Sequence, residues 1–146
     1  MPTAARMVAG VLYAALVWYV SQLIKPLFPE GTDLGLFAEV NAAIGFLCGW
    51  ILAGSRAGGS WSAAVSYGLT TVVAITFWGL LIHSTVEMVT KSMRMLYRGP
   101  ADAVTDVFGM IVEFGILMAK PDILGMLVVG GVLAAILTEI TGRNFR

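Results

Sequence analysis

Long apolar runs alternate with short polar breaks along this chain, and each run predicts a helix. The first run covers about residues 5–24 and is apolar apart from Arg6, Ser21 and Gln22. It is about long enough to cross a bilayer core. Trp18, Tyr19 and Lys25 near its far end suit the headgroup level. Pro26 and Pro29 then stop the helix. The second run covers about 35–54, with Thr32 or Asp33 placed to cap it. The third covers about 61–83, with Ser60 as its cap. Thr70, Thr71 and Thr76 do not forbid a span, because their hydroxyls can bond back to the preceding helical turn. The last covers about 122–140, with Asp122 as its cap.

Between the third and fourth runs, at about 84–120, the pattern becomes amphipathic. His83, Glu87, Lys91, Arg94 and Arg98 share one helical stripe. Asp102, Asp106, Gly109, Glu113 and Lys120 share another. Gly99-Pro100 predicts a reversal, and Pro100 suits a first helical turn. An antiparallel hairpin about that point sets Arg98 near Asp102, Arg94 near Asp106 and Glu87 near Glu113. The alternative is that 101–119 enters the membrane, which gives five crossings and puts the termini on opposite sides.

The predicted fold is an all-α integral membrane protein, a single domain over 1–146, with about four transmembrane helices and a charged helical hairpin between the third and fourth. Composition agrees. The chain is 58% apolar and 12% charged, against about one half and one quarter in soluble domains. The formal net charge is zero, so nothing suggests nucleic acid. The first run reads as a retained span rather than a cleaved leader, since no small-residue cleavage site and soluble domain follow it. With four crossings both termini share one side, and Arg6, Arg56, Arg143 and Arg146 favour the cytoplasm for it.

Candidate chemistry is sparse. His83, Glu87 and Glu113 form a possible metal site if the hairpin register holds, since an imidazole and two carboxylates can ligate a divalent ion. The plainer reading is that His83 and Glu87 mark where the third span meets water. Glu39 and Glu139 fall near span ends, where headgroups are within reach. Gly45 and Gly49, and Gly130 and Gly131, smooth their helices for close packing. Cys48 is the only cysteine, which excludes a CxxC redox pair, and one histidine excludes bis-histidine haem within one chain. No HExxH, P-loop, GxSxG or dinucleotide fingerprint occurs. The sequence therefore predicts no enzyme and no cofactor.

Several short motifs carry a resemblance. Met-Pro-Thr-Ala-Ala-Arg opens the chain, and Pro29-Glu30-Gly31-Thr32-Asp33 precedes Val40-Asn41-Ala42-Ala43-Ile44-Gly45 and Gly49-Trp50. Ser92-Met93-Arg94, Tyr97-Arg98-Gly99-Pro100 and Gly130-Gly131 follow. Together they resemble the TrgA family of bacterial tellurium-resistance membrane proteins over the whole chain. The resemblance implies an inner-membrane protein associated with tellurite resistance, and it implies no mechanism. An indirect, non-enzymatic role is the expectation. The alternatives are an accessory subunit of a larger respiratory or photosynthetic complex, and a small ion or metal carrier. Expected partners are the bilayer, a second copy of the chain, or that larger complex.

Overall fold

A computed structural model describes residues 3–145. Arg146, one of the four arginines that bear on sidedness, and the opening Met1-Pro2 lie outside them. The described residues form helices joined by short turns, with no strand among them. Four of the helices are long and apolar enough to cross a membrane.

Helix α1 spans Thr3–Ile24 and passes into a short 3-10 turn, Lys25–Leu27, where Pro26 prevents continuation. Ala5, Ala9, Tyr13, Val17, Val20 and Ile24 recur every three or four residues and are buried. Met7, Val11, Trp18 and Leu23 are exposed on the other faces.

Helix α2 spans Phe37–Cys48 and continues through a π-helical stretch, Gly49–Ala53, and a 3-10 turn, Gly54–Arg56. It starts later than the sequence suggests, and neither predicted cap serves it. The Asp33 carboxylate accepts from the Gly35 amide at 3.1 Å, and the Thr32 hydroxyl donates to the Pro29 carbonyl at 2.8 Å. Both side chains are spent on the loop, and Leu36 precedes the helix without a side-chain cap.

Helix α3 runs unbroken from Trp61 to Met93. Ser60 caps it, accepting from the Ala63 amide at 3.2 Å. At about 1.5 Å per residue it is about 50 Å long, well beyond the roughly 30 Å of a hydrocarbon core. Helix α4, Pro100–Met118, folds back along its far end. Helix α5, Pro121–Asn144, completes the chain. Asp122 lies inside its first turn rather than at the cap, where its charge still suits the helix dipole.

Four helices close a ring: α1 packs on α2 and α5, and α3 packs on α5 and α2. α4 stands outside it against α3, and its Phe114 ring meets Phe28 at 5.8 Å between centroids. Small residues set the spacing of the ring. A Cβ at Gly45 would lie 2.7 Å from the Tyr13 carbonyl oxygen, and one at Gly49 2.7 Å from that of Ala9. One at Gly54 would lie 2.6 Å from the Arg6 Cα. Gly130 faces Leu16, and Gly131 faces Val72. Such approaches maximise dispersion contact, the main attraction between helices where no water is displaced. The Tyr13 hydroxyl adds a buried bond to the Gly131 carbonyl at 2.9 Å.

The end of the ring nearer the termini is locked by Glu139. This carboxylate is 1% exposed, buried rather than open to headgroups as its sequence position suggested. One oxygen accepts from the Gly58 amide at 2.8 Å, the other from Arg143 Nε at 2.9 Å. Arg143 donates on to the Gly59 carbonyl at 2.7 Å and lies over the Trp61 ring. The α2–α3 turn is thus held to the last turns of α5.

Candidate functional site

The hairpin register differs from the expected one. α3 stops at Met93, and Met95 adopts a left-handed backbone with φ of 54°. Arg94 and Arg98 therefore leave the helical stripe and sit, with Tyr97, in the connection. Asp106 meets Lys91 at 3.0 Å instead of Arg94. Among the described residues no ion pair joins Arg94 to Asp106 or Arg98 to Asp102. The Tyr97 hydroxyl also donates to Asp106, and Lys91 Nζ lies 3.5 Å from Met110 Sδ.

The Tyr97 hydroxyl, followed by the Lys91 ammonium, holds the Asp106 carboxyl below the usual carboxylate range. Desolvation, reinforced by Asp106, pushes the Tyr97 phenol up to about 12. The signs fix a window. A lowered carboxylate stabilises the fold above its unfolded value and ceases to as pH falls through its folded one. A raised phenol stabilises below its unfolded value and ceases to as pH rises through about 12. The hairpin joint should therefore hold at neutral pH and loosen in acid. Amide exchange over 101–106, corrected for intrinsic rates, should rise on acidification, and Asp106→Asn should raise it at pH 7.

Between this hairpin and the ring lies a cavity of about 560 Å³. It sits where α1 ends and α2 begins, under the 25–36 loop, and is walled by α3 and α4. Val20, Ile24, Phe28, Phe114 and Leu127 make its apolar part. Asp33, Asn41, His83, Glu87, Lys91 and Glu113 are among its polar groups.

A hydrogen-bond chain runs through one wall. The Ser21 hydroxyl donates to the Val17 carbonyl at 2.7 Å, so its oxygen is left to accept from Asn41 Nδ2 at 3.0 Å. That orients the Asn41 amide, whose Oδ1 faces His83 Nε2 at 2.8 Å. Oδ1 can only accept, so Nε2 carries the proton. Asn41 is 8% exposed and Ser21 is 1% exposed, which makes the chain costly to break. The Phe37 ring lies 4.5 Å from the imidazole, centroid to centroid, and fixes its other side.

His83, Glu87 and Glu113 all line the cavity but do not form the predicted metal site. Among the described residues no three His, Cys, Asp or Glu side chains are placed to hold an ion. The Nε2 proton is committed to Asn41 and the ring packs on Phe37, which leaves Nδ1 as the imidazole's remaining acceptor. Sequence reading named Asn41 only within a short motif and Ser21 only as a polar break in the first run, and gave neither a partner. The available signal was a polar side chain inside an apolar run, which needs a partner somewhere. Cys48 is half-buried on α2, apart from the residues that line the cavity. Compared with protein families, characterised proteins and solved structures, the chain finds no match.

Proposed function

We propose that this chain is a multi-pass component of the bacterial cytoplasmic membrane, with both termini in the cytoplasm, that contributes to tellurite resistance without transporting or reducing tellurite itself. The resemblance to the TrgA family supplies the resistance. The charge of the cavity carries the indirect role. Asp33, Glu87 and Glu113 line it, while its one lysine is already paired with Asp106. Like charges repel an oxyanion. A thiol reductant would use paired reactive cysteines, and Cys48 has no second thiol.

The test has two arms. Cells lacking the gene should become more sensitive to tellurite and recover on complementation. The purified protein in liposomes should neither admit nor reduce tellurite, and either activity refutes the indirect role. One observation favours an accessory subunit. Val104, Phe108, Val112 and Ile116 form an exposed apolar stripe along α4, outside the four-helix ring. Such a stripe suits lipid or a protein partner, and a stoichiometric large partner in gentle detergent would establish the latter.

A further inference from the structure

The cavity has the features of a binding site for a small amphiphile. Its volume of about 560 Å³ falls within the range of ligand pockets, roughly 300–1,000 Å³. Apolar side chains dominate one part, and five ionisable side chains gather in the rest: Asp33, His83, Glu87, Lys91 and Glu113. Lys91 is neutralised by Asp106, which leaves three carboxylates without a cation within ion-pairing distance among the described residues.

His83 adds a directional preference. With the proton on Nε2, its Nδ1 is an acceptor. Nδ1 has no partner among the described residues, and it is not sealed away, since the buried unpartnered side-chain atoms there are Arg6 Nε and Ser84 Oγ. A ligand head that completes this site must bring positive charge and N–H protons. An anionic head fails on charge, and a neutral head, an alcohol included, leaves the carboxylates without a counter-charge.

We propose that the cavity binds an amphiphile with a protonated primary amine head, the ammonium drawn to the carboxylates that line it, Asp33, Glu87 and Glu113, and the tail laid against Phe28, Phe114 and Leu117. The proposal does not depend on the role in tellurite resistance. His83 is the only histidine, so histidine-selective ¹⁵N labelling gives one imidazole whose two nitrogens report on the site directly. The protein is placed in lipid nanodiscs at pH 8 and titrated with dodecylammonium, with dodecanoate, dodecanol and methylammonium as comparisons.

Dodecylammonium should move the Nδ1 resonance saturably, while dodecanoate and dodecanol leave it in place. Methylammonium, with the head but no tail, should bind at least about tenfold more weakly. The double variant Glu87→Gln, Glu113→Gln should also lose about tenfold in affinity. No Nδ1 response to dodecylammonium overturns the proposal, as do equal responses to all three amphiphiles or equal binding of methylammonium. These comparisons use the unaltered chain, so they decide the matter even if the double variant does not fold.

Discussion

Replacing Glu139 with alanine should cost the folded chain about 3 kcal/mol, toward the low end of what removing one partner of a buried ion pair costs. The Glu139 side chain is 2% exposed, whereas that of Arg143 is 39% exposed and can recover some hydration. The larger loss is local. The Gly58 amide and Arg143 Nε both lose the carboxylate, and the turn before α3 is left tied to α5 through the Arg143 contacts with Gly59 and Trp61. Glu139→Gln keeps an acceptor of the same shape and gives up the charge, so it should cost about half as much. Unfolding in mild detergent, followed by tryptophan fluorescence, measures both. Trp61 lies under the Arg143 guanidinium, so its emission, read with Trp18, Trp50 and Trp78 replaced by phenylalanine, should change first. If Glu139→Ala is as stable as the unaltered protein, the clasp contributes nothing.

The second large effect is expected at Gly68, where three helices meet. A Cβ there would fall 2.6 Å from the Ala135 Cβ, 3.0 Å from the Gly131 carbonyl oxygen and 3.2 Å from the Tyr13 hydroxyl. None of these is the loose end of a long side chain. Gly68→Ala should force α3 from α5 and disturb the Tyr13–Gly131 bond. Overpacking costs about 1–3 kcal/mol and the bond about 1 kcal/mol. The gain in helix propensity returns up to about 1 kcal/mol. The net loss is about 2 kcal/mol. Gly109→Ala and Gly125→Ala make the contrast, because nothing lies within 4 Å of a Cβ at either position. Those two should gain up to about 1 kcal/mol from propensity alone. Equal effects at all three sites would mean that close packing does not set the cost.

Element identity was legible because it rests on local properties. Run length, apolar periodicity and proline positions announce the helices and most of their ends. The hairpin register was less legible. The charge stripe from His83 to Arg98 assumes a helix that continues, but the chain leaves the helix after Met93. Once it does, Arg94 and Lys91 no longer share a face, and Asp106 takes the residue still on the rod. Nothing near Met93 marks the exit as a glycine would, since Met95 takes the left-handed turn conformation itself.

The site was hidden for another reason. Ser21, Asn41 and His83 are far apart in sequence and come together only when α1, α2 and α3 pack. Glu139 was misplaced by the same kind of gap. Its distance along α5 suggested headgroups, while its partners, Gly58 and Gly59 through Arg143, come from a turn 80 residues earlier. A span is a one-dimensional fact; a polar network is a consequence of packing.

The π-helical stretch in α2 has a consequence for chain length. Its glycines step along α1 by four positions from Gly45 to Gly49 and then by five to Gly54, yet all three press on the same neighbour. A regular α-helix would swing the third away, and the wide turn absorbs the surplus residue instead. Shortening the chain by one within 50–53 would let that turn relax to ordinary pitch with the three-point seam intact. Lengthening it by one has no such slack to draw on, so α2 tolerates loss at this point better than gain.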